Sequence, residues 1–446
     1  MKNRTHLTRR QFAAASAATI AATGIIRSTS AQDAVTLQYS YWGTTKPAAY
    51  QACADRFMEI NPNITVELES LSWDDYWTAL QTSMVAGSAP GVFSNHLAKF
   101  PELSETGQLV DIQPLVERDG IDVTKYTGDL AELWSRDGAR YGLPKDWDTI
   151  AVFYNKDMLD AVGIDPAVFE EWTWNPEDGG TFGEIIAQLT IDENGNNGLS
   201  DEFDKTTVKQ YGLAMELGDA YGQTSWSMFA ASTGWDFIDA PWTPPFHLDD
   251  ERFVQTIQWL ADQQLETGFA VPEEQVASLN VESVFAAGTS ALMFHGSWMI
   301  NWVSENTTFN VGFGRLPIGP EGRKCMFNGL ADSIWVGSEH QEEAWEWLKF
   351  MASAEAQELI GSFGVVFPAI PSAAEVALDA WAERGLDVSP FLEQAREEGG
   401  TILFPIADNA SEYVAIVQPA MQAIALGEAK AADILPEVNE EINSLY

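Results

Sequence analysis

An α/β fold in two lobes is what this sequence predicts, and three observations predict it. Short apolar, β-branched runs alternate with amphipathic windows of helical length, the pattern of βαβ units and mostly parallel sheets. The chain has 446 residues, more than a single hydrophobic core usually organises. No heptads, no fixed-period repeat and no low-complexity tail interrupt the alternation.

The elements follow in order. Thr8-Arg9-Arg10-Gln11-Phe12 is a twin-arginine pattern, residues 13–26 are mildly apolar and Ala-rich, and Thr29-Ser30-Ala31 offers the small residues a signal peptidase needs. That apolar stretch is too short and too weakly hydrophobic for a bilayer span of ~20 residues. Residues 1–31 therefore read as a cleaved twin-arginine signal, with a mature chain starting near Gln32 and a periplasmic or extracellular destination. No cysteine stands at the cleavage point to take a lipid anchor. Residues 35–41 alternate apolar and polar as a first strand; 48–60 read as a helix, ended by Asn61-Pro62-Asn63; 64–68 read as the second strand. Gly91-Val92-Phe93 is a short strand running into the polar turn Ser94-Asn95-His96.

Residues 141–159, YGLPKDWDTIAVFYNKDML, are the most informative segment. A Tyr-Gly-Leu-Pro turn delivers the polar, aromatic cluster Lys145-Asp146-Trp147-Asp148 to the mouth of a buried strand, 149–154, and Asn155-Lys156-Asp157 opens a helix. Such a patch can be presented to a ligand by a rigid sheet. Further on, 290–294 read as a strand ending at Gly296-Ser297-Trp298, and 343–351 as a helix with an acidic start and an apolar inner stripe.

Charge excludes whole classes of partner. Five of the 24 basic residues and none of the 66 acidic ones lie in the signal, leaving a mature chain at a formal −47. Such a field repels nucleic acid and anionic membrane. Cys53 and Cys325 read as two isolated, buried thiols rather than a disulfide. Residues 192–204 place Asx side chains at alternate positions, but without the glycine and glutamate of a calcium loop they read as an Asx-rich turn. The five histidines show no metal-binding spacing. No metal site and no cofactor are expected.

The chain resembles the family 1 extracellular solute-binding proteins, the sugar-binding receptors of ABC importers. The resemblance rests on the 141–159 segment, on the β-helix-β opening with Trp42-Gly43 closing its first strand, on AAGTSALMFHGSW at 286–298, on EAWEWLKFM at 343–351 and on Gly-Val-Val-Phe-Pro at 364–368. These cover nearly the whole mature chain in the family's order. It implies the two-lobe type II periplasmic binding protein fold with its ligand cleft between the lobes: 34–149 with 311–350 in lobe I, 150–310 with 351–446 in lobe II. It also implies a monomer that binds a sugar or oligosaccharide without converting it and delivers it to an ABC permease. One departure stands out: Ala89-Pro90-Gly91 lacks the Asp that usually follows this Pro in the family, which leaves the geometry of the next loop open.

A neutral sugar needs polar side chains for its hydroxyls and flat rings for its C–H faces. The expected ligand residues are Trp42, Trp235 and Trp298, at strand ends or glycine-containing turns, as stacking platforms, with the loop amide Asn328 as a hydrogen-bonding group; the resemblance implies Asn95, His96 and Asp148 as further hydrogen-bonding groups. Lys145 is a weaker candidate that can instead pair with Asp146. Trp345, Trp347 and Trp381, inside helices, read as core. Two alternatives remain: a receptor for a charged solute, glycerol phosphate or polyamine, and a secreted glycoside hydrolase with paired carboxylates. The sequence carries no Gly-x-Ser-x-Gly elbow, no phosphate loop and no dinucleotide fingerprint, and no catalytic residue is assigned.

Overall fold

The computed structural model describes residues 34–446, so the expected signal lies outside the described residues. Two mixed sheets form the frame. The first begins with β1 (Val35–Trp42), β2 (Ile64–Leu71), β3 (Val92–Asn95) and β4 (Leu143–Asp148). The second is built from β5 (Ile150–Asn155), β6 (Ile191–Asp192), β7 (Val208–Ala214), β8 (Ser290–Gly296) and β9 (Val311–Gly314); β10 (Cys325–Ile334), β11 (Phe367–Pro368) and β12 (Thr401–Leu403) return to the first. The first sheet runs β11-β4-β10-β3-β1-β2 with β12 beside β10, and the second runs β9-β5-β8-β7-β6.

The opening is the expected β-helix-β unit. The helix Pro47–Ile60 starts with Pro at its first turn and buries Ala49, Tyr50, Cys53, Ala54 and Phe57 on one stripe. It connects β1 to β2, which pair in parallel from Val35 opposite Ile64 to Trp42 opposite Leu71. The sheets are less parallel than the alternation suggests. β10 runs antiparallel to both β3 and β4, and β5 runs antiparallel to both β8 and β9. Each is a strand by which the chain crosses between sheets, so it enters from the opposite end.

The crossings place the functional residues. Asp148 ends β4 and Ile150 begins β5, so the chain changes sheet through Thr149 alone. Thr149 is fully buried and its hydroxyl donates to the Phe391 carbonyl at 2.8 Å. The second crossing lies between Gly314 and Cys325, later than the 309–311 boundary implied by the resemblance, because residues 311–314 still pair with β5. Conversely, 367–368 pair with β4 in the first sheet rather than joining the second. Both cysteines are free and buried: the Ile150 amide donates to Cys325 Sγ at 3.0 Å, and burial pushes the Cys53 thiol up to about 12. Trp345, Trp347 and Trp381 are fully buried. Asp192 accepts from the amides of Asn194, Asn196 and Asp204 at 2.8–3.0 Å, so the Asx-rich turn spends its carboxylate on its own backbone.

Candidate functional site

The cluster 145–148 is not a loop but an interior strand, every residue of which is buried. Alternation along it separates two roles. Lys145 points beneath the sheet, where its ammonium donates to Asp332 Oδ1 at 2.6 Å and to the Tyr39 hydroxyl at 3.0 Å. Asp332 is thus its partner, not Asp146. Asp146 and Asp148, on the other hand, line a cavity of about 560 Å³ between the two sheets, within the ~300–1,000 Å³ usual for small-molecule sites.

The first sheet supplies one wall. Trp42, at the end of β1, meets Trp73 edge to face at 5.1 Å, and Trp73 meets His96 at the same distance. Trp73 opens a helix, Trp73–Ala86, whose N-cap Ser72 accepts from the Asp75 amide; Asp74 and Asp75 fill its first turn. Lys46, nearly buried at the start of the first helix, holds its Nζ 5.4 Å from the Trp42 ring centroid, and burial lowers its pKa against the pull of Asp146.

A hydrogen-bonded chain crosses the floor. Asn328 stands opposite Asp148 in the β10–β4 ladder. Its amide nitrogen donates to Asp148 Oδ2 at 3.2 Å and lies 2.9 Å from His96 Nε2. Burial, with Lys99 and Lys46 near, drives His96 down to about 3 and keeps its ring neutral. Asp148 moves the other way: burial and then Asp146 hold its carboxyl well above the usual range, against the bonds from Asn328 and Gln223.

The second sheet supplies the facing wall. Gln223 donates to Asp148 Oδ1 at 2.9 Å, tying the loop after β7 to the crossing strand. That loop also presents Glu216, Asp219, Tyr221 and Thr224 to the cavity, and Tyr221 packs on Phe404 at 4.8 Å. Asp219 shapes the loop by accepting from the Tyr221 and Gly222 amides. Trp298, Met299 and Trp302 follow β8. A Cβ on Gly296 would fall inside the Trp298 indole, so glycine there is what lets the ring lie back over its own strand. His295 accepts from the Gly296 amide on Nδ1 at 2.9 Å, which directs its Nε2 proton towards Glu282, 3.7 Å away.

Five of the expected residues therefore meet at one cavity: Trp42, His96, Asp148, Trp298 and Asn328. Two do not. Trp235 is buried in the second lobe, stacked on Phe253 at 4.5 Å with its Nε1 donating to the His247 carbonyl at 2.7 Å. Its Gly234 neighbour serves a turn, not a cleft edge. Asn95 is fully buried and spends its side chain on Ser333 and on the His96 amide, bracing the turn that carries His96. Sequence reading missed Lys46, Trp73, Glu216, Gln223, Glu282 and Trp302. Trp73 had a signal in the Ser-x-x-Asp capping pattern after β2.

The family model of bacterial extracellular solute-binding proteins matches residues 41–358. The maltodextrin-binding protein MdxE of Bacillus subtilis is 24% identical over 299 residues, 65% of this chain and 63% of that protein. The crystal structure of UspC from Mycobacterium tuberculosis is 26% identical with a TM-score of 0.72, covering 92% of this chain and 100% of that one. An ABC substrate-binding protein of Listeria monocytogenes, in complex with cycloalternan, superposes with a TM-score of 0.78 at 19% identity, covering 93% and 99%.

Proposed function

We propose, from the premise that this chain belongs to the bacterial extracellular solute-binding protein family, that its cleft binds a sugar or oligosaccharide for uptake and releases it unchanged. The carrying observation is the pairing of flat rings with buried hydrogen-bonding groups across one cavity: Trp42 and Trp73 on one wall, Trp298 and Trp302 on the other, with Asp148, Asn328 and His96 between them. Rings cover the C–H faces of a pyranose and the polar chain takes its hydroxyls. Maltodextrin and cycloalternan, named for two of the relatives, are ligands of that chemistry.

In this reading Trp42 and Trp298 stack, while Asp148 and Asn328 hydrogen-bond. The two sheets are the cores of two lobes that hinge at Thr149 and between Gly314 and Cys325, and closure shows the loaded face to the membrane subunits of an ABC importer. The protein acts as a monomer in the periplasm or outside the cell, exported folded through the Arg9-Arg10 signal. An anionic solute fits poorly, since Asp146, Asp148, Glu216, Asp219 and Glu282 all line the cavity against Lys46.

Calorimetric titration of the mature protein with a panel of neutral oligosaccharides, glycerol phosphodiesters and spermidine tests the reading. Saturable binding of a saccharide that chromatography recovers intact is expected. Cleavage products, or tight binding of a diester or polyamine alone, would replace it.

A further inference from the structure

We propose that the second-lobe wall of this cleft receives a protonated amine, so that the ligand class is an amino-substituted saccharide; this rests on the saccharide reading above. The wall carries Glu216, Asp219 and Glu282, and the buried Glu273 stands behind them. The last is not the ligand group: it accepts from the Leu217 and Gly218 amides and from Gln264, at 2.9–3.2 Å, and stays with the backbone. Asp219 is engaged by the turn amides and Glu282 faces His295. Glu216 is different. Among the described residues it has no hydrogen bond and no ion pair, although it lines the cavity and is only partly exposed.

A negative group in that position asks for a counter-charge. Burial first, then Asp219, Glu273 and Glu282, push the Glu216 carboxyl up to about 7. Among the described residues no lysine or arginine lies on this wall; Lys46, on the first-lobe wall with Asp146 and Asp148, is the one that lines the cavity.

A second observation points the same way from the other side. Asp146, 3% exposed, lines the same cavity with its Oδ2 unpartnered, and Asn328 Oδ1 is likewise buried without a donor. Buried acceptors without a partner are rare in folded proteins, and a donor from water or from a ligand answers them. The second-lobe wall of the cleft is therefore acidic, with Glu216 unpaired on it. An ammonium on a sugar ring offers that wall three donors together with the opposite charge. Among the described residues no three His, Cys, Asp or Glu side chains converge as metal ligands.

The test is calorimetry of the mature protein against matched oligosaccharides, each linkage presented in hydroxyl, amino and N-acetylamino form. In whichever linkage binds, the amino form is expected to bind at least tenfold tighter than both neutral forms. That ratio should shrink with added salt and collapse towards one in Glu216→Gln, with Glu282→Gln as the second variant. Neutral forms binding as tightly in every linkage would overturn the proposal and leave the saccharide reading intact. An amine preference that survives both substitutions would overturn the assignment to this wall. No binding by any form would remove both readings.

Discussion

Truncating Trp298 separates a binding platform from a core anchor. The ring is half-buried, lies over Gly296 and meets His295 edge to face at 5.6 Å. Its outer face is what a sugar would cover. A large aromatic side chain buries ~150–250 Å² in total, and one face is about a third of that, so ~50–80 Å² at ~25 cal/mol per Å² gives ~1.3–2 kcal/mol. Stacking geometry adds ~0.5–1.5 kcal/mol. The sum, ~1.8–3.5 kcal/mol, corresponds to a roughly 20- to 300-fold weaker Kd for Trp298→Ala at ~1.4 kcal/mol per decade. Calorimetric titration of variant and parent with the best saccharide measures it, with thermal melting as the control for folding. A Kd within about threefold of the parent, in a protein that melts normally, refutes the stacking role. A collapse of the melting temperature would instead make Trp298 a core residue.

Gly296→Ala places a methyl where the Trp298 indole lies, so it should shift tryptophan fluorescence and weaken saccharide binding together; if neither changes, the ring is not held as described. Trp235→Ala removes a buried ring stacked on Phe253 and should cost ~3–5 kcal/mol in denaturant unfolding, while a melt unchanged from the parent would restore Trp235 as a surface group. Lys145→Met leaves Asp332 charged and buried without the partner now 2.6 Å away, a loss of ~3–5 kcal/mol that Asp332→Leu in the same chain should largely reverse; additive losses would deny the pairing. Glu216 has its pKa raised to about 7 by folding, so its proton is held more tightly in the folded state and its contribution falls as pH climbs from the ordinary glutamate value towards 7. Unfolding free energy of the ligand-free protein should therefore decline between pH 5 and 8, and that part of the slope should vanish in Glu216→Gln; an identical slope in the variant would contradict it.

How much of this was legible in the sequence differs by element. The first half of β1, its helix and β2 were readable because each buries one face, which leaves period two and period 3.6 intact. β4 was not. It is buried on both sides, yet it reads Leu-Pro-Lys-Asp-Trp-Asp, because its charges are matched by residues far away in the chain. Asp332 neutralises Lys145 from 187 positions on, and Lys46 lies near Asp146 from the start of another helix. No local window contains those partners.

The same limit explains the uneven record on the site. Trp42 and Trp298 stand at or just after the ends of strands, where open α/β sheets present ligand groups, and both reach the cavity. Trp235 shared the superficial signal of a preceding glycine but follows a helix, Trp226–Ala231, and packs inward. The acidic wall was invisible because 66 acids make any pair unremarkable in one dimension. What singles out Glu216 is the lack of a partner in three dimensions.

The position of Asp148 ties binding to movement. It is one residue from the crossing at Thr149, one of the two connections about which the proposed rotation between the sheets turns. Its Oδ2 is held by Asn328 within its own sheet, whereas its Oδ1 is held by Gln223 from the other. The first bond survives a hinge rotation and the second does not. A ligand hydroxyl or ammonium that displaces Gln223 would occupy the oxygen facing the second lobe and take over the link between the walls. Buried charge-assisted bonds are worth ~1.5–3 kcal/mol each, enough to shift an open–closed balance by roughly ten- to a hundredfold. In the proposed saccharide reading, Asp148 then both recognises the ligand and reports its arrival to the hinge.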